Sequence, residues 1–84
     1  MEIKFHKNFK KKFKKLPQKT QEQFYERLDL FIQNRSDKTL NIHSVDKAFS
    51  NCKSFNVSGD YRAIFEDQKE LAIFITIGTH SDLY

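Results

Sequence analysis

A few side chains in this sequence are suited to proton transfer and to phosphate binding. His80 follows Gly78 and Thr79 at the end of a predicted strand, where a turn can aim an imidazole into a pocket. Imidazole exchanges protons near neutral pH. Arg62 lies within another predicted strand, and a guanidinium binds phosphate through parallel donors. His43 offers a second imidazole. These residue types could together form a polar site for a phosphate-bearing ligand.

Each of these side chains also has an ordinary structural interpretation. His80 and His43 could be solvated surface residues. Arg62 could form a salt bridge with a neighbouring carboxylate such as Asp60. Tyr84 could stack on a ligand, plug the core or fray at the chain end. Spacing alone leaves these alternatives open.

The chain is basic, which points to a polyanion or an acidic protein as partner. Its formal net charge is +4 and its pI is about 9.3. Lys47 and Lys53 lie in the polar middle of the chain and could bind phosphate. Solubility alone is the alternative explanation of the charge. Further lysines crowd one predicted helix, among them Lys10, Lys11 and Lys14.

The N-terminal half predicts a strand followed by two helices. Residues 2–5 alternate between polar and apolar types, as in a strand. Apolar residues at helical spacing then form a stripe, and Pro17 separates a second helix over 18–34. Leu30 lies off the second stripe and is expected to be exposed or to touch a partner. The stripes consist of Phe5, Phe9, Phe13 and Leu16, then Phe24, Tyr25, Leu28, Phe31 and Ile32.

The C-terminal half predicts strands over 40–45, 54–57, 61–66 and 71–77, separated by turn signals. Strict alternation assigns their side chains to two faces. The apolar face, which the helices would cover, holds Phe55, Val57, Tyr61, Ala63, Phe65, Leu71, Ile73, Ile75 and Ile77. The polar face holds Ser54, Asn56, Asp60, Arg62, Ile64, Phe74 and Thr76. The sequence therefore predicts one α+β domain over 1–84, with a two-helix hairpin on one face of a small, mostly antiparallel sheet in the order β-α-α-β-β-β.

Composition excludes several classes of protein. No apolar run is long enough to span a membrane, and the N-terminus lacks a signal-peptide pattern. The single cysteine, Cys52, allows no internal disulfide and is expected to be a buried filler, so a cytoplasmic location is predicted. The histidines and the cysteine show no metal-ligand spacing, so no metal is expected.

Three stretches of the chain resemble toxins of the RelE/ParE superfamily. They are "LPQKTQEQFYERLDLFIQN", "SFNVSGDYRAIFE" and "LAIFITIGTHSDLY". The strand ending in Tyr-Arg and the Gly-Thr-His tail with a final aromatic carry the likeness, which is greatest to the YafQ-like branch. The resemblance implies a RelE-like fold and cleavage of mRNA in the ribosomal A site. It also implies that no cofactor is used, and that a cognate antitoxin neutralises the toxin in a hetero-oligomer.

The resemblance also implies roles for individual residues. His80 would be a general acid or base, and His43 a second such group or a phosphate ligand. Arg62 would hold the scissile phosphate, and Tyr84 would stack on a base or position the phosphate. Asp60 matches the family's aspartate. RNA or phosphate contacts would come from Lys47, Lys53, Lys10, Lys11 and Lys14.

One position departs from the family pattern and keeps two other functions open. Asn56 stands where YafQ-like toxins have a second histidine. Loss of one proton-transfer group costs about 10²–10⁴ in rate, so a catalytically weak antitoxin-binding module is one alternative. A ParE-like toxin that poisons DNA gyrase by binding is the other, although such toxins lack the acid–base set.

Overall fold

The predicted alternation and helical stripes produce a five-stranded sheet and three α-helices. The computed structural model describes residues 1–84. Its elements are β1 (Glu2–Phe5), α1 (Lys7–Lys14), α2 (Gln18–Gln33), a 3₁₀ turn (Lys38–Leu40), β2 (His43–Ser44), β3 (Cys52–Asn56), β4 (Tyr61–Gln68), β5 (Leu71–Thr79) and α3 (His80–Leu83). None of the helices has the length and apolar composition of a membrane span.

The strands lie in the order β1-β5-β4-β3-β2. Three neighbouring pairs are antiparallel, and only β1 and β5 run parallel, with Glu2 opposite Leu71 and Phe5 opposite Phe74. The α+β class, the helical hairpin and the mostly antiparallel sheet are confirmed. The structure adds the single turn α3, and the strand predicted over 40–45, which the order β-α-α-β-β-β does not count, is present as the very short β2.

The two helices turn sharply at Pro17 and cover one face of the sheet. Gln21 fixes the corner, because its side-chain amide donates hydrogen bonds to the carbonyls of Phe13 and Leu16 at 3.0 and 3.1 Å. These bonds tie the last turn of α1 and the residue before Pro17 to the first turns of α2. The core beneath is aromatic, with six phenylalanines each less than 3% exposed: Phe9, Phe24, Phe31, Phe55, Phe65 and Phe74.

A β-bulge in β5 makes part of the predicted face assignment wrong. Ile64 pairs with Thr76, but the next residue, Phe65, pairs with Phe74, so Ile75 is an extra residue on its strand. A bulge shifts the alternation by one position. Phe74, predicted on the polar face, is therefore fully buried beneath the helices, and Leu71 and Ile73 leave that core.

Other local predictions also need correction. Phe5 ends β1 instead of starting the helical stripe, although its ring still packs on Phe9. The strand predicted over 40–45 shrinks to β2, because Leu40 ends a 3₁₀ turn and Asn41 takes a left-handed conformation with φ 47°. Leu30 packs against the main core. The outer members of the second stripe, Tyr25 and Ile32, are half exposed.

A second, smaller apolar cluster lies on the opposite face of the sheet. Val45, Cys52 and Ile64 form it, and Ile75 and Leu83 pack against it. Burial raises the pKa of the Cys52 thiol, and the nearby carboxylates of Glu66 and Asp46 raise it further. The thiol therefore stays protonated and acts as a small apolar side chain, as predicted.

Asp67 joins the loop after α2 to the sheet through two cations. Its carboxylate accepts hydrogen bonds from Arg35 at 3.0 and 3.2 Å and from Lys53 at 2.9 Å. Burial alone would raise the pKa of Asp67, but the hydrogen bonds from Lys53 and Arg35 outweigh it and hold that pKa below its ordinary value. A lowered folded-state pKa stabilises the fold above the unfolded-state pKa, and this contribution is lost as the pH falls through the folded-state pKa.

We therefore expect Asp67→Asn to destabilise the protein at pH 7 and to have little effect at low pH. The physical reason is that, once the pH falls below the lowered folded-state pKa of Asp67, its protonation already weakens both ion pairs in the unmodified protein. Urea unfolding of both proteins at pH 7 and at about pH 2, well below the ordinary pKa of an aspartate, measures the difference. An equal loss of stability at both pH values would show that the carboxylate charge does not stabilise the fold.

Candidate active site

Four of the five residues predicted to be catalytic line one open pocket on the sheet face opposite the helical hairpin, and the fifth, Asp60, does not. Its volume is about 690 Å³. His43 enters from β2, Arg62 from β4, and His80 from the end of β5, so three separate strands position the site. The complete lining is Asn41, His43, Ser44, Val45, Asp46, Lys47, Ala48, Arg62, His80 and Tyr84.

A glycine and a capping box position His80 at the rim of the pocket. Gly78 lies opposite Arg62, and a Cβ atom there would come within 3.2 Å of the Asp82 Cβ. The missing side chain lets α3 fold back closely over the end of β5. Thr79 and Asp82 then form a reciprocal capping box, and hydrogen bonds from Thr79 lower the pKa of Asp82. His80 is the first residue of the helix that this box starts.

Hydrogen bonding selects one tautomer of His43. Its Nδ1 lies 2.9 Å from the carbonyl oxygen of Asn41. Because a carbonyl can only accept, Nδ1 carries the proton, and Nε2 of the neutral ring is left as an acceptor. The fully buried Ser54 hydroxyl lies 3.4 Å from this Nε2. The arrangement suits His43 to accept a proton.

Arg62 is free of acidic partners. Its Nη1 donates weakly to the carbonyls of Ser58, Gly59 and Tyr61 at 3.3–3.4 Å, and these bonds involve neither Nε nor Nη2. Both ion pairs of the protein involve Asp67 instead. The salt-bridge interpretation of Arg62 is therefore wrong. The guanidinium keeps donors and its full positive charge for an anionic ligand.

Tyr84 and Lys47 also line the pocket. The Tyr84 ring lies 4.8 Å from the His80 ring and packs edge-on against Phe49 at 6.3 Å. Tyr84 remains 49% exposed, so it is a side wall of the pocket and no core plug. Lys47 lies in the exposed turn between β2 and β3. The rim can offer an aromatic surface and an ammonium group to one ligand.

Other candidate residues lie away from this pocket. Asp60 is exposed in the turn between β3 and β4 and does not line the pocket. Lys53 is held by Asp67. Lys10 and Lys14 border a separate groove of about 310 Å³ along the helical hairpin, and Lys11 is exposed on the same helix. Lys10, Lys11 and Lys14 therefore form a cationic surface separate from the pocket that His43 and His80 line.

Two contributors to the site were missed by sequence reasoning. The Asn41 carbonyl orients His43, and Ser54 faces the other nitrogen of that ring. The signal for Asn41 was its residue type, since asparagine tolerates the left-handed conformation that it adopts. No pattern in the sequence marks Ser54, because it is one of several small polar residues in alternating strands.

Two buried polar atoms on this sheet face lack a hydrogen-bond partner. They are Oδ1 of Asn56 and Oγ1 of Thr76. Asn56 lies directly across from Arg62, and Thr76 lies across from Ile64. In the whole structure, no group of three or more histidine, cysteine or acidic side chains is arranged to hold a metal ion.

A two-helix hairpin on one face of this sheet is the fold of the RelE/ParE superfamily of toxins. The sequence comparison gives the family. The model of the ParE toxin of type II toxin-antitoxin systems matches residues 3–84, and the chain belongs to that family. No sequence among curated proteins matches the chain significantly.

Solved structures agree with this assignment. The crystal structure of YafQ from E. coli matches with a TM-score of 0.82 and 22% identity, over 99% of this chain and 97% of that one. YafQ in the E. coli DinJ-YafQ complex matches with a TM-score of 0.80 and 23% identity, over 99% and 97%. The RelB-RelE antitoxin-toxin complex from Methanococcus jannaschii matches with a TM-score of 0.76 and 22% identity, over 96% and 94%.

Proposed function

We propose that this toxin is a metal-independent endoribonuclease that cuts mRNA on the ribosome. The observation that supports the proposal is the convergence of His43, His80, Arg62 and Lys47 on one open pocket. Two imidazoles and two cations supply the groups that cleavage of RNA by its own 2′-hydroxyl requires. The likeness to YafQ and RelE supports the same activity.

The proposed reaction is an in-line attack by the 2′-oxygen on the adjacent phosphorus. Nε2 of His43 accepts the proton of the 2′-hydroxyl, and protonated His80 donates a proton to the leaving 5′-oxygen. The P–O5′ bond breaks, which leaves a 2′,3′-cyclic phosphate and a 5′-hydroxyl. Arg62 and Lys47 neutralise the charge that develops on the phosphate, and Tyr84 stacks on a neighbouring base.

The proposed partners are an antitoxin, mRNA and the ribosome, all in the cytoplasm. Relatives of the same fold were solved bound to the antitoxins DinJ and RelB. Helix α1 contains no acidic residue, and Lys10, Lys11 and Lys14 lie along it. These lysines are proposed to contact ribosomal RNA. The affinity of the toxin for the ribosome should then fall as the salt concentration rises.

Mapping of mRNA 5′ ends after induction in bacteria tests the proposal. New 5′-hydroxyl ends at codon boundaries within minutes of growth arrest would support ribosome-dependent cleavage. Arrest with intact transcripts would overturn it. A protein without any effect on growth, although folded and abundant, would favour a catalytically weak antitoxin-binding module.

A gyrase poison is the second candidate, because the family model that matches the chain describes ParE toxins. Such a toxin would act by binding and would not need the paired imidazoles. Intact transcripts together with an induced DNA-damage response would identify it. Inhibition of supercoiling by purified gyrase would then confirm the target.

Replacing Lys47 with alanine is expected to lower the affinity for RNA. It should also make that affinity less sensitive to salt concentration. One lost phosphate contact lowers the slope of log affinity against log salt by about 0.7 for a single strand. Titration with a 2′-O-methyl RNA oligomer at several salt concentrations measures this slope. Lys19→Ala, at an exposed position of α2, is the matched control. Equal slopes for both variants would remove Lys47 from the phosphate site.

A further inference from the structure

Asn56 combines two features that ordinary packing does not explain. Its Oδ1 is buried without a hydrogen-bond partner, and a buried acceptor in that state destabilises the fold. It also lies directly opposite Arg62 on the neighbouring strand. The residue therefore leaves an unused acceptor beside the cation that faces the pocket.

The strand register brings the two side chains close together. The N–H of Val57 donates to the carbonyl of Tyr61 at 2.9 Å, which places this pair at a hydrogen-bonding position of the ladder, although the Tyr61 N–H donates to the Ser58 hydroxyl. The adjoining pair, Asn56 and Arg62, is then of the non-hydrogen-bonded kind, in which side chains on one face approach most closely. Their Cβ atoms are expected to be about 5 Å apart, within reach of a guanidinium.

The donors of Arg62 complement this acceptor. Nη1 makes only long contacts, at 3.3–3.4 Å, with the carbonyls of the turn after β3. Arginine has donors and no acceptor, so it can satisfy Oδ1 of an asparagine and cannot satisfy its amide nitrogen. The unpartnered atom of Asn56 is thus its oxygen, which can accept a hydrogen bond from Arg62.

We propose that Asn56 is a positioning residue for Arg62. When RNA binds, Arg62 leaves the turn carbonyls and donates one N–H to Oδ1 of Asn56. This bond turns the remaining donors of the guanidinium toward the scissile phosphate. Asn56 itself transfers no proton and does not touch the substrate. The inference rests on the proposed function only in that Arg62 binds the phosphate of an RNA ligand.

The kinetic test compares Asn56→Leu, which removes the acceptor at similar size, with Asn56→Asp, which keeps one. Cleavage of ribosome-bound mRNA by the purified toxin is expected to show a kcat about 10- to 100-fold lower for Asn56→Leu, with KM changed less than about twofold. Asn56→Asp is expected to recover most of the rate. In an Arg62→Ala background, Asn56→Leu should have no further effect, since its partner is gone. Additive losses would overturn the inference.

A second measurement does not require catalysis. The ¹⁵N NMR signal of the Arg62 Nε–H group is followed while a 2′-O-methyl RNA oligomer is added to the complete protein. A shifted, sharp signal that broadens in Asn56→Leu and returns in Asn56→Asp supports the positioning role, even if the wild-type protein cleaves no mRNA. An identical response in all three proteins would overturn it, whether or not cleavage occurs. Melting temperatures of both variants that are no lower than that of the wild type exclude a general loss of structure.

Discussion

Replacement of His80 by alanine is expected to lower the rate of mRNA cleavage by about 10²–10⁴-fold, the usual contribution of one proton-transfer group. His80 is exposed at the pocket rim, and its side chain makes no hydrogen bond that supports the fold. Its loss should therefore affect catalysis and leave stability unchanged. Single-turnover cleavage by the purified variant, together with its melting temperature, measures both.

A sulfur substitution can show whether His80 is the acid. In RNA with sulfur in place of the 5′-oxygen at the cleaved bond, the leaving thiolate needs no proton. Cleavage of this substrate by His80→Ala should then approach the wild-type rate, whereas His43→Ala should remain slow with both substrates. Rescue of His43→Ala instead would exchange the two roles. If His80→Ala cleaved ordinary RNA at the wild-type rate, His80 would have no part in the reaction.

Replacement of Phe74 by alanine is expected to destabilise the protein by about 3–5 kcal/mol, the usual cost of removing a buried phenylalanine. Domains are stable by only about 5–15 kcal/mol, so the variant should be largely unfolded on mild heating. Phe74 is fully buried. Its ring neighbours six others that come from β1, both long helices, β3 and β4: Phe5, Phe9, Phe24, Phe31, Phe55 and Phe65.

Ile32→Ala is the control for this loss of stability. Ile32 lies on α2 but is 50% exposed, so its truncation should cost less than about 1 kcal/mol. Urea unfolding of the two variants measures the contrast. A similar small loss for Phe74→Ala would mean that its side chain lies on the other face of β5, as strict alternation predicts, and that the bulge at Ile75 is absent.

The bulge explains why the fold could be predicted better than the sheet faces. Helical spacing around Phe9 and Phe24 and the alternation in β3 and β4 were sufficient for the elements and their order. In β5, residues 71–75 are all apolar, so composition does not reveal which of them is the extra one. Only pairing with β4 determines that Phe74 faces the helices.

The site could be predicted by residue type but not by geometry. His43, Arg62 and His80 were chosen for their chemistry and their motifs, and they do share a pocket. Lys53 has the same chemistry, yet Asp67 holds it, and that ion pair depends on tertiary structure. The unused acceptor of Asn56 was likewise beyond sequence reasoning, because burial and strand register together create it.

Because β5 lies inside the sheet, neither the fold nor the site of this toxin can be completed without it. β1 pairs only with β5, from almost the whole length of the chain away, and β5 also supplies Phe74 and leads into His80. Contacts so distant in sequence form late, after most of the chain is available. A product of interrupted translation that stops before Leu71 would have neither a completed core nor a histidine at the rim. Such truncated products are therefore expected to be unfolded and inactive.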